Sequence, residues 1–165
     1  MQKAKNPLIF VVEDSLVYKD LIVGYLKSKK YQNIKTFKSG EECLKMIDLK
    51  PDLIVLDYSF EGINGLELMK KVKEDHPEID FIFLSAQNEV EVAVKIMRMG
   101  AADYIIKNEK APHNLLRSIE HMISVTREIK IRQGFKIGVI GFFIMLFVII
   151  MVIILMTIFL EDFNL

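Results

Sequence analysis

Short apolar runs alternate along this chain with segments in which apolar residues recur every three or four positions. Leu8-Ile9-Phe10-Val11-Val12, Leu53-Ile54-Val55-Leu56 and Phe81-Ile82-Phe83-Leu84 are continuous, as expected of strands buried on both faces. Ile34 to Phe37 and Tyr104-Ile105-Ile106 predict two weaker strands. A first helix carries Leu16, Leu21, Ile22, Tyr25 and Leu26, with Ser15 or Asp14 as its cap. A second follows Ser39-Gly40-Glu41-Glu42, turns Cys43, Leu44 and Ile47 inward, and ends before Pro51. A third bears Leu66, Leu68, Met69 and Val72 until Pro77, and a fourth runs from about Val90 to Met99 until Gly100 stops it. The fifth carries Leu115, Leu116, Ile119, Met122 and Ile123, with Pro112 in its first turn. This alternation predicts an α/β domain whose parallel sheet is covered on both faces.

The tail changes the picture. Residues 137 to 160 carry no charge, and Thr157 has the only hydroxyl among them. As a helix at ~1.5 Å per residue, this segment would cover roughly 36 Å, against about 30 Å of bilayer hydrocarbon. Arg127, Lys130, Arg132 and Lys136 precede it, and Glu161 and Asp162 follow. The positive-inside rule then predicts a single-pass anchor in the cytoplasmic membrane, with the folded part facing the cytoplasm. The expected layout is a domain at 1–126, a basic juxtamembrane linker at 127–136, a transmembrane helix at 137–160 and a short extracytoplasmic tail at 161–165. Gly134 and Gly138 form a GxxxG pair at the membrane entry, a spacing that can serve a helix dimer.

Charge adds an exclusion. Residues 1 to 136 hold all 22 basic and 20 of the 22 acidic side chains, so no strong basic field marks a nucleic-acid partner. Cys43 is the single cysteine and reads as a buried apolar thiol. His76, His113 and His121 have no ligand partner at metal spacing and read as surface residues.

The C-terminal ends of parallel strands share one rim, where open α/β sheets bind their ligands. That rim gathers Glu13 and Asp14 after strand one, Asp57 after strand three, Ser85 after strand four and Lys107 after strand five. Close carboxylates repel unless a cation intervenes, and all-oxygen ligation suits a hard ion such as Mg²⁺. Lys107 supplies a point charge suited to a phosphoryl group.

Glu13-Asp14, Asp57, Gly65-Leu66-Glu67-Leu68, Ser85-Ala86 and Ala102-Asp103-Tyr104-Ile105-Ile106-Lys107 together resemble the receiver domain of two-component response regulators, over roughly residues 6 to 126. The resemblance implies a flavodoxin-like, doubly wound sheet of order 2-1-3-4-5. It implies that Asp57 accepts a phosphoryl group from the phosphohistidine of a histidine kinase or histidine phosphotransfer protein. Glu13, Asp14, Asp57 and the backbone carbonyl of Ser59 would hold Mg²⁺, while Ser85 and Lys107 contact phosphoryl oxygens. Tyr104 would be the switch aromatic, reshaping the face of helix four, strand five and helix five. That face or the transmembrane helix offers a route to a homodimer.

Two positions depart from the family pattern. Asn108 follows Lys107 where receivers usually have a cis proline, and a non-proline cis bond costs about 3 kcal/mol, so a different presentation of Lys107 is expected. Glu61 stands where many receivers have proline. The leading expectation is a membrane-anchored, single-domain response regulator, a phosphoacceptor rather than an enzyme, with no output domain after it. The alternative is a membrane-tethered scaffold that keeps the receiver shape without the phosphorylation cycle. A phosphatase of the haloacid dehalogenase type needs an aspartate where Ser59 stands.

Overall fold

The computed structural model describes residues 6–59, 63–87 and 90–163, with the side chains of 125–141, 154, 155 and 157–163 outside that description. The chain forms two compact units, Met1–Ile123 and Ser124–Leu165.

The first unit follows the expected alternation: β1 (Ile9–Val12), α1 (Leu16–Ser28), β2 (Ile34–Phe37), α2 (Gly40–Leu44), a 3₁₀ turn (Ile47–Leu49), β3 (Leu53–Asp57), α3 (Gly65–Asp75), β4 (Asp80–Ser85), α4 (Val90–Arg98) and β5 (Asp103–Ile106). The last helix is α5 (Ala111–Phe163). All strand pairs are parallel, as the alternation predicts, in the order β2-β1-β3-β4-β5 that the resemblance implies.

Strand alternation sorts the core into two layers. Phe10, Val12, Ile54, Leu56, Phe81 and Phe83 face one side, where Cys43, Leu68, Met69, Val72 and Ile96 of the helices cover them. Ile9, Val11, Leu53, Val55, Ile82, Leu84 and Ile105 face the other, under Ile22 and Leu26 of α1 and Ala111, Leu115 and Ile119 of α5. Cys43 is fully buried, and that burial pushes its thiol up to about 12, which suits the apolar reading.

Two local expectations change. The inward stripe of α1 is Tyr18, Ile22 and Leu26, while Leu16 and Leu21 stand 55% and 51% exposed. Packing on the sheet selects this face, with Ile22 and Leu26 in the layer of Ile9 and Val11, while Ser15 Oγ, accepting the Tyr18 N–H at 3.4 Å, marks the first turn. The second helix ends at Leu44, and the chain tightens into i−3 bonds, Met46 to Cys43, Leu49 to Met46 and Lys50 to Ile47. Pro51 forbids a longer α-helix there, and Lys50, at φ 51°, ends the turn.

In the second unit the expected transmembrane helix at 137–160 is not found: among the described residues, no helix is long and apolar enough to cross a membrane. The described side chains of that segment are those of 142–153 and 156. The remainder of the segment lies outside the described side chains.

Candidate functional site

β1 and β3 are register partners, so Glu13 and Asp14 leave the sheet beside the end of β3, where Asp57 is the last strand residue. Glu13, Asp14 and Asp57 bring carboxylate oxygens within 4.8 Å of one another. Glu13 and Asp57 are buried, whereas Asp14 is exposed.

Lys107, just past β5, reaches into this cluster. Its Nζ donates to Asp57 Oδ2 at 2.6 Å and to Glu13 Oε2 at 2.8 Å. Its own N–H donates to the Ser85 carbonyl at 2.7 Å, which extends the β4–β5 ladder and fixes where the side chain departs. Among the described residues there is no cis peptide bond, so Lys107 arrives through a trans bond to Asn108.

Each carboxylate is oriented on its second oxygen too. Glu13 Oε1 accepts the Ser15 N–H at 3.2 Å, and Asp57 Oδ1 accepts the Ser59 N–H at 3.2 Å. Burial pushes the Glu13 carboxyl above its ordinary value, against the pull of the Lys107 ammonium. Three carboxylates facing one ammonium leave the cluster net negative, and its all-oxygen donor set suits a hard cation. Glu13, Asp14 and Asp57 supply side-chain oxygens for it. Ser59, expected to lend its carbonyl, is seen to give its N–H to Asp57. Glu61 lies outside the described residues, as do its neighbours Phe60 and Gly62.

Ser85 is fully buried at the end of β4, and its Oγ accepts the Gln87 N–H at 3.0 Å. Tyr104, half-buried on β5, donates its hydroxyl to the Gln87 carbonyl at 2.9 Å. One peptide residue thus joins the two side chains. Tyr104 also lines a hollow of about 580 Å³ with Val90, Val94, Met97 and Ile106.

Sequence reasoning missed Tyr18, whose ring centroid lies 4.5 Å from Lys107 Nζ. An aromatic three residues after the helix cap was the available signal.

Gly65 opens α3 against the site, with Asn64 Oδ1 accepting the Glu67 N–H at 2.9 Å as the cap. A Cβ at Gly65 would stand 2.8 Å from the Asp57 carbonyl oxygen and 2.8 Å from Leu56 Cδ1. Strand backbone cannot yield cheaply, so Gly65→Ala is expected to push α3 outward and destabilise the domain by about 1–3 kcal/mol. Urea unfolding checks this; an unchanged midpoint would show that the helix start has slack.

Residues 9–120 match the response regulator receiver domain family. The chain is similar to the phosphate regulon transcriptional regulatory protein PhoB of Pseudomonas aeruginosa, 31% identical over 101 residues, which cover 60% of this chain and 44% of that protein. It is similar to the response regulator SaeR of Staphylococcus epidermidis, 27% identical over 116 residues, covering 70% and 50% respectively. The chain therefore spans about half the length of these curated relatives. The crystal structure of the receiver domain of NtrX from Brucella abortus superposes with a TM-score of 0.61 at 32% identity, covering 68% of this chain and 98% of that one.

Proposed function

Because the chain belongs to the response regulator receiver domain family of two-component systems, we propose that Asp57 is its phosphoacceptor and that phosphorylation is read out through Tyr104. Receiver domains are signalling phosphoacceptors that histidine kinases phosphorylate; the donor proposed here is a histidine kinase or a histidine phosphotransfer protein. The observation that carries the reading is the buried Asp57 carboxylate held between the Lys107 ammonium and the Ser59 N–H, beside Glu13 and Asp14.

In the reaction an Asp57 carboxylate oxygen forms the new bond to phosphorus, and the bond from phosphorus to the donor's imidazole nitrogen breaks, its electron pair leaving with the imidazole. Such transfer depends on positioning and on neutralising charge over the phosphoryl oxygens. Glu13, Asp14 and Asp57, with the Ser59 carbonyl, would hold Mg²⁺, and that ion would supply part of the neutralisation. Lys107, just past β5, supplies another positive charge.

Readout follows from Gln87. If the Ser85 hydroxyl turns to a phosphoryl oxygen, it releases the Gln87 N–H, and the Gln87 carbonyl that holds the Tyr104 hydroxyl shifts with it. Tyr104 then changes the hollow it shares with α4, where Val90, Val94 and Met97 are exposed. This face is the proposed surface for an effector or a second copy.

The proposed location is the cytoplasmic membrane face. Side chains 142–153 are consecutive, apolar and each 41–66% exposed, so among the described residues nothing covers any face of these helical turns. Lipid is the solvent that suits such a surface. Retention of the full-length protein in carbonate-washed membranes tests the location, and its complete release would refute it.

The chemistry is tested by incubating the full-length protein in detergent with acetyl phosphate and Mg²⁺ and recording its intact mass. One added phosphoryl group, labile to hydroxylamine, is expected. No label, under conditions that modify a control receiver, would leave the scaffold reading in its place.

A further inference from the structure

Lys107 must present its ammonium without the proline that usually follows it, and the chain offers an aromatic ring for the purpose. The ring centroid of Tyr18 lies 4.5 Å from Lys107 Nζ, while that nitrogen is 2.6 and 2.8 Å from Asp57 and Glu13. A cation within about 6 Å of a tyrosine ring is drawn to its electron-rich face, more strongly where water is excluded. Here the Lys107 side chain is only 15% exposed.

Tyr18 itself is well placed to act as a fixed platform. Its N–H is tied to the Ser15 cap, and its ring packs on the layer that includes Ile22 and Ile105. Ser15 also donates its N–H to Glu13, so one capping residue bonds both the Tyr18 backbone and the Glu13 carboxylate, each of which contacts the Lys107 ammonium through its side chain. The Tyr18 hydroxyl oxygen is buried and has no hydrogen-bond partner among the described residues. The hydroxyl therefore contributes no bond that would account for the residue, and the ring is left as the interacting part.

We infer that Tyr18 is a positioning residue for phosphoryl transfer, its ring face holding the Lys107 ammonium where it meets both Asp57 and an incoming phosphoryl oxygen. The inference rests on the phosphoacceptor reading for its chemistry, but the placement of Lys107 can be measured without it.

The test compares Tyr18→Phe, which keeps the ring, with Tyr18→Leu and Tyr18→Met, which fill the space without one. In full-length protein with acetyl phosphate and Mg²⁺, the leucine and methionine variants are expected to label about threefold to thirtyfold more slowly, and phenylalanine within about twofold of native. Nitrogen NMR of the lysine side chains supplies the second readout, in metal-free protein: the hydrogen-bonded Lys107 ammonium signal should persist with phenylalanine and broaden or vanish with leucine or methionine. If either non-aromatic variant is folded, it decides the matter. Native labelling rates and an intact Lys107 signal without the ring would overturn the inference, as would a phenylalanine variant as slow as leucine. If the native protein takes no label, the phosphoacceptor reading fails, while the NMR comparison still reports whether Tyr18 holds Lys107.

Discussion

Asp57→Asn is expected to abolish labelling by acetyl phosphate, lowering the rate at least about a thousandfold, because a carboxamide offers no anionic oxygen to phosphorus. The geometry makes the effect specific to this carboxylate. Asp57 ends β3 with one oxygen on the Ser59 N–H and the other on Lys107, so a single side chain sits at the centre of the donors. Glu13 is also buried and also touches Lys107, which makes it the competing acceptor. Glu13 is anchored through its other oxygen to Ser15, at the start of α1, and stands at the side of the cluster away from β4. Intact mass and peptide mapping of the native and Asp57→Asn proteins check the assignment. An asparagine variant that still gains a phosphoryl group at the native rate would move the acceptor to Glu13 or Asp14.

The same residues show what a sequence can disclose. Strands buried on both faces must be continuous apolar runs, so β1, β3 and β4 stand out, and parallel order then places Glu13, Asp14, Asp57, Ser85 and Lys107 on one rim. What stays hidden depends on helix phase and on contacts between distant segments. Apolarity alone gave Leu16 and Leu21 the same standing as Ile22, although the face that packs on the sheet is that of Ile22 and Leu26, which leaves the first two exposed. The aromatic after the cap could mark Tyr18 but not its partner, because its contact with Lys107 joins the start of α1 to the loop after β5. The Gln87 bridge between Ser85 and Tyr104 runs through backbone groups, which every residue carries and no side-chain pattern reveals.

Lys107→Met removes the ammonium but keeps an unbranched side chain of similar length, so it isolates the charge. In metal-free protein at pH 8 it is expected to destabilise the fold by roughly 3 kcal/mol, the low end of the range for stranding the partners of a buried ion pair. Glu13 and Asp57 would then face each other with side chains 2% and 9% exposed and no cation between them. The pH dependence has a definite sign. Burial already raises the Glu13 carboxyl above its ordinary value of 4.5, and Lys107 acts in the lowering direction, so the variant raises it further. A carboxyl whose folded-state value exceeds its unfolded one binds protons more tightly when folded, and stability falls as pH rises through that interval. The deficit relative to native protein should therefore be small at pH 4.5, where the carboxyl can take up a proton, and full at pH 8. Mg²⁺ should restore more stability to the variant than to the native chain, because a second cation takes the place of the ammonium. Urea unfolding at the two pH values, with EDTA or with Mg²⁺, measures all of this. A deficit equal at both pH values and indifferent to Mg²⁺ would mean that Lys107 supports the site by packing alone.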